Sequence, residues 1–385
     1  MQKIKWTIIC ALFGMSIGIA QDNYYFPKKQ LEWEQRSPSE MNLNEIKLQE
    51  AIDFALENEY KGSRDLRIAI LKGFEREPFH EILGPTKKRG GPAGMILKNG
   101  YIVKSWGDTK RVDMTFSVTK SFLSTVAGLA VDRHLISSTS DKLSDYVWDG
   151  TFLGAHNEMI TWEHLLQQNS DWSGSLWGVK DWADRPPKEG GIDDWKNRSY
   201  KEPGTFMEYN DVRVNVLAYS LTQVWRAPLP IVLKENLMDK IGASTTWRWF
   251  GYEDAWTVID GLKMKSVTGG GHSGGGIFIN TEDMARFGLL FLNKGQWEKE
   301  TIISSEWIES AVQPSIPNSN YGYMWWLNKK GDRHWEGLSE EIFYASGFGG
   351  NFIVIDKAND LVVVTRWLEP SKLEEFMKLL TMSLK

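Results

Sequence analysis

Ser117 and Lys120, in Phe116-Ser117-Val118-Thr119-Lys120, are the first pair in this chain whose types and spacing suit chemistry. Residues three apart lie on one face of a helix, so a hydroxyl and an amine here stand one turn apart. A lysine takes a serine proton only when neutral, and burial or nearby positive charge lowers its pKa toward that state. The positive end of a helix beginning at the serine adds to this and favours an oxyanion. Chance also supplies this spacing on surface helices, so the pair needs company before it means catalysis.

Company comes at Glu202-Pro-Gly-Thr-Phe-Met-Glu-Tyr209-Asn-Asp211 and at Phe343-Tyr-Ala345-Ser346-Gly347-Phe348-Gly-Gly-Asn351. Tyr209 is suited to relay a proton between a serine oxygen and a leaving group, and Asp211 to hold Lys120. The plain alternative is a buried tyrosine with an aspartate capping a helix. The small residues Ala345, Ser346 and Gly347, at a strand, let a backbone approach a substrate closely. The N–H groups of Ser117 and Phe348 would then form an oxyanion hole, against the alternative of a simple glycine-rich turn. His272, within Gly269-Gly-Gly-His272-Ser-Gly-Gly-Gly276, is a candidate for the pocket wall, although a lone histidine in a loop is more often structural. The six histidines show no metal-ligand spacing, since His156 and His164 lie eight apart without an acidic motif. No metal and no cofactor are expected.

In order, Ser-x-x-Lys, Tyr-x-Asp and the Ser-Gly strand resemble the three motifs of the serine β-lactamase-like superfamily. That group comprises class C β-lactamases, low-molecular-mass penicillin-binding proteins and related esterases and amide hydrolases. Ile160-Thr-Trp-Glu-His-Leu-Leu is similar to a further family segment, as is Gly274 to Gly288, and the likeness spans roughly residues 90 to 370. It implies Ser117 as acylated nucleophile, Lys120 as base and Tyr209 as proton shuttle to the leaving group. Asp211 stands where the family usually has asparagine, which favours a protonated Lys120 and shifts weight to Tyr209. Ala345 stands where β-lactam binders have lysine or histidine, which weakens recognition of a substrate carboxylate. The resemblance therefore implies hydrolysis of a small-molecule or oligomeric ester or amide. A β-lactamase or peptidoglycan DD-peptidase, and a non-catalytic binding protein on the same scaffold, are the rivals.

Elements must position these groups. The spacing predicts a helix over 44–59 with Ile46, Leu48, Ile52 and Leu56 inward, and Asn99-Gly100 predicts a hairpin between two strands. A helix runs from Ser117 to Asp132 with Phe122, Val126, Leu129 and Ala130 on its apolar stripe. Residues 133–265 read as a mainly helical, tryptophan-rich insertion with poor strand signals. Two strands around Lys357–Asp360 and a helix near 372–384 close the chain. The expected class is α+β, an antiparallel sheet flanked by N- and C-terminal helices, within a catalytic domain spanning 41–385.

The chain has 385 residues, 42% hydrophobic and 25% charged, with net charge −5 and no basic block, so nucleic acid is not an expected partner. Residues 1–20 read as a secretory signal: Lys3 and Lys5, then an apolar run from Trp6 to Ala20, then a small-residue cleavage site. That run is short of the roughly 20 residues a membrane span needs. The mature protein is expected to be periplasmic or secreted, with no span of its own, beginning with an extended lead-in over 21–40. Its one cysteine, Cys10, lies in the signal, which leaves no thiol nucleophile or disulfide.

Overall fold

A computed structural model describes residues 24–29 and 32–385. The expected signal peptide at 1–20 lies outside the described residues. Six strands, Ala93–Lys98 (β1), Tyr101–Trp106 (β2), Trp326–Leu327 (β3), Ile342–Gly347 (β4), Asn351–Asp356 (β5) and Leu361–Arg366 (β6), build one antiparallel sheet. Their order is β3-β4-β5-β6-β1-β2. Asn99 and Gly100, at φ 51° and 83°, make the tight turn that the sequence predicts between β1 and β2. The lead-in runs along the β2 edge: Ile102 N–H donates to Glu34 O at 3.1 Å and Arg36 N–H to Ile102 O at 3.0 Å.

Five helices frame the sheet and the cavity beside it: Glu45–Glu57 (α1), Thr119–Asp132 (α2), Asp211–Trp225 (α3), Thr281–Leu292 (α4) and Leu373–Thr381 (α5). Alternate side chains of β5 and β6 enter different cores, as the two-residue period of a strand requires. Phe352, Val354, Leu361 and Val363 pack with α1 and α5. Ile353, Ile355, Val362 and Val364 pack with α2, α3 and α4. Covering both faces explains why β5 and β6 read as unbroken apolar runs.

Three expectations need correction. In α1, capped by Asn44, the inward residues are Leu48, Ala51, Ile52 and Ala55, while Ile46 and Leu56 are exposed. At 100° per residue Ile46 falls nearly opposite Leu48, so two small alanines complete the stripe instead. The helix α2 is buried on every side from Thr119 to Ala130, because it runs through the middle of the molecule and has no solvent face. The insertion holds strands too. Arg248–Phe250 pairs with Gly276–Ile279, which also pairs with Asp113–Met114, and Trp256–Ile259 forms a hairpin with Leu262–Lys265 about Asp260-Gly261. The first of these strands is too short to show a period; the hairpin has an Asp-Gly turn signal, but its strands are largely exposed and lack a clear apolar face.

Candidate active site

Ser117 sits in a single 3₁₀ turn, Phe116–Val118, that feeds α2. Side chains stitch this turn to the strand Gly276–Ile279: Thr115 Oγ donates to Ile277 O, and Ile277 N–H donates to Thr119 Oγ, both at 2.9 Å. Phe116 is held at φ 52°, a conformation a bulky residue takes only when its surroundings impose it. Its ring is buried against Phe348, 5.1 Å between centroids. Ser117 is half-buried and opens on a cavity of about 440 Å³.

The expected partners converge. Lys120 Nζ donates to Ser117 Oγ at 2.9 Å and to Asp211 Oδ1 at 2.6 Å, with the lysine side chain only 1% exposed. Tyr209 brings its ring 4.7 Å from the same ammonium and stacks on Trp326 of β3 at 5.8 Å. Among the described residues no hydrogen bond holds the Tyr209 hydroxyl, and the residue lines the cavity. Asp211 is both a lysine partner and the first residue of α3, whose N-cap is Asn210, with its side chain accepting from Arg213 N–H at 3.1 Å.

The third motif contributes main chain. A side-chain carbon on Gly347 would lie 2.0 Å from Thr115 O, so only glycine lets the end of β4 approach the nucleophile turn. Ser346, Gly347 and Phe348 line the cavity. Phe348 N–H follows the last paired residue of β4, and Ser117 N–H lies in a first helical turn, where such groups have no intrahelical partner. Ala345 departs from the expected substrate-binding place: its methyl is buried in the core with Val118 and Phe122 and is not part of the cavity wall.

His272 does line the cavity, and it is buried. Glu77 Oε2 lies 2.5 Å from its Nε2, and Arg185 Nη2 lies 3.1 Å from its Nδ1. A guanidinium only donates, so one neutral tautomer, with the proton on Nε2, satisfies both contacts. Burial, then the Arg185 charge, push the imidazole down to about 4. Burial pushes the Asp184 carboxyl up to about 6. Burial would raise Asp211 as well, but the charges of Lys120 and Arg185 hold it well below the usual carboxylate range.

Sequence reasoning missed several groups here. Asp184 and Arg185 lie against Asp211, Glu77 against His272, and Arg333 over the Trp326 ring at 4.0 Å. Gly270 presses on the ion pair itself: a side-chain carbon there would be 1.8 Å from Asp211 Oδ1 and 2.4 Å from Lys120 Nζ. The run of glycines before His272 was the available signal for it. Two groups of ligand-type side chains are close together, Glu77–His80–His272 and Asp184–Asp211–His272. In the second, Arg185 and Lys120 already neutralise the carboxylates, which opposes a further cation.

A family model described as Beta-lactamase matches residues 87–366, which takes in every motif above. The chain belongs to the β-lactamase family. No curated protein matches it in sequence. A solved structure titled a putative β-lactamase, from Bacteroides dorei, is similar at 16% identity and TM-score 0.56, covering 76% of this chain and 93% of that one. A family VIII carboxylesterase gives 17%, 0.56, 77% and 93%. A putative 6-aminohexanoate-dimer hydrolase from Bacillus anthracis gives 14%, 0.56, 94% and 88%. At these identities the likeness carries the β-lactamase fold alone, an α+β architecture on which hydrolases recur.

Proposed function

We propose that this chain is an exported serine hydrolase that cleaves an ester or unstrained amide through an acyl-enzyme on Ser117. The observation that carries the reading is the 2.9 Å contact between Lys120 Nζ and Ser117 Oγ at the wall of a cavity. In this mechanism a neutral Lys120 takes the hydroxyl proton while Oγ bonds to the acyl carbon. The carbonyl oxygen becomes an oxyanion that accepts from the N–H groups of Ser117 and Phe348. Tyr209, facing the Lys120 ammonium, passes a proton to the departing alcohol or amine, and water then releases the acyl group. Esterase and amide-hydrolase neighbours on the same fold agree with this choice of bond. Export rests on residues 1–20, and among the described residues no helix is long and apolar enough to cross a membrane.

The test is a fluorophosphonate probe with wild type and Ser117→Ala, alongside a short-chain nitrophenyl ester. Serine-dependent labelling and ester turnover are expected, both falling at least about 10³-fold in the variant. Absent labelling of wild type would favour a binding protein and sink the enzyme reading. Arg333 favours a second reading, in which the substrate is a β-lactam or peptidoglycan peptide. It lines the cavity, stacks on Trp326 and forms no ion pair among the described residues, which supplies a cation for a substrate carboxylate. Stable labelling by a fluorescent penicillin without ester turnover would select that reading over the first.

A further inference from the structure

The ion pair between Lys120 and Asp211 raises a difficulty for any base catalysis by Lys120. A carboxylate 2.6 Å from a buried ammonium stabilises the protonated form, the one unable to accept the serine proton. A second cation shares that carboxylate. Arg185 Nη1 lies 2.7 Å from Asp211 Oδ2, and the same nitrogen lies 2.6 Å from Asp184 Oδ1. No donor is aligned on Asp211 Oδ2, so the Arg185 contact acts as charge on charge rather than as a directed hydrogen bond.

The chain locks this arrangement by a two-residue device. Asp184 accepts from the backbone N–H groups of Asp211 and, at 3.3 Å, of Val212, which fixes it at the start of α3. Arg185, next in sequence, is held at φ 49°, and its N–H donates to Glu77 Oε1 at 3.1 Å. So Asp184 binds the main chain of Asp211 while Arg185 faces its side chain. Arg185 also lies 5.2 Å from the Tyr209 ring that covers Lys120.

We infer that Arg185 is a positioning residue: by neutralising Asp211 from the far side, it leaves Lys120 free to lose its proton and serve as the base for Ser117. The inference rests on the serine hydrolase reading for its purpose. Its test does not. The groups that set the Lys120 charge are Asp211 at the start of α3, Tyr209 before it, Arg185 and Asp184 from the insertion, His272 from the glycine loop with Glu77 behind it, and Ser117 on its own turn. His272 is neutral over most of the pH range, so Arg185 is the fixed cation opposing Asp211.

The experiment is competitive acetylation of Lys120 by acetic anhydride across pH, read by mass spectrometry on the full folded chain. It reports the lysine's titration without needing turnover. Arg185→Gln is expected to raise the midpoint on the order of 1–2 pH units, and Arg185→Lys to keep it close to wild type. Asp211→Asn, which leaves Arg185 unopposed, is expected to lower it. The acid limb of Ser117 labelling by the fluorophosphonate should follow the same shifts. A midpoint unmoved in Arg185→Gln, or moved equally by both Arg185 variants, overturns the inference. Should Arg185→Gln fail to fold, an unmoved midpoint in Asp211→Asn overturns it instead. Absent fluorophosphonate labelling of wild type with the acetylation shifts intact would remove the hydrolase reading alone.

Discussion

The two walls of the cavity are built on opposite principles. On the α3 and insertion side stand side chains with charge: Lys120, Asp211, Arg185 and Asp184, with Glu77 and His272 completing the set. On the sheet side stand backbone and aromatic rings: Ser346, Gly347 and Phe348, the last packed against Phe116, Tyr60 and Phe74. Paired charge is confined to one wall, where each ion has a partner and little water, whereas on the sheet side Arg333 lies over the Trp326 ring and forms no ion pair among the described residues. The other wall offers N–H groups that cost nothing to reorient. A reacting acyl group between them would meet a proton acceptor on one side and fixed dipoles on the other.

A glycine stands at the tightest point of each wall, and the comparison predicts that they fail differently. Gly347→Ala sets a carbon against a backbone oxygen that cannot rotate away, so stability should fall by about 3 kcal/mol or more in urea unfolding, with labelling lost as well. Gly270→Ala sets a carbon against the ends of two side chains, which can part. Its main effect should be on rate, a drop of about 10²-fold in kcat, or about 2.7 kcal/mol, with a smaller change in unfolding. If Gly270→Ala loses stability and keeps its rate, the charged wall is structural.

The smallest expected effect separates the walls by pH. The imidazole of His272 is held at about 4, below its unfolded value near 6.5. Between those values the unfolded chain binds a proton on this group that the folded chain does not, so stability is lost as pH falls from about 6.5 toward 4. Asp184, raised to about 6, acts with the opposite sign over about 4 to 6, stability falling as pH rises there. The difference between wild type and His272→Gln in urea unfolding isolates the histidine contribution, expected at about 2–3 kcal/mol across its window. A flat difference would mean that the imidazole titrates alike in both states.

Ser117, Lys120, Tyr209 and Asp211 were legible because each sits in a short local pattern whose spacing has a mechanism. The sheet was legible for the same reason: β1, β2, β5 and β6 are bounded by turn residues and carry clear apolar runs. Arg185 was not, because its partner Asp211 lies 26 residues on and a lone Asp-Arg dipeptide reads like any solvated surface. Glu77 and Arg333 were hidden in the same way by tertiary contact. For Ala345 the small residue type was legible, but which way its side chain faces depends on the packing of β4 against α2.

One consequence concerns timing. The pairing of β1 with β6 joins Ala93 to Arg366, and the cavity needs Phe348 beside Ser117. Most of the chain must therefore be present before the main sheet can close, and contacts so distant in sequence form slowly. A ribosome-bound or truncated product holds the serine and lysine on one short segment yet lacks the wall that faces them. Assembly of the site is a late event, which suits the export proposed for this chain, since a polypeptide that crosses a membrane unfolded would carry no finished nucleophile on the way.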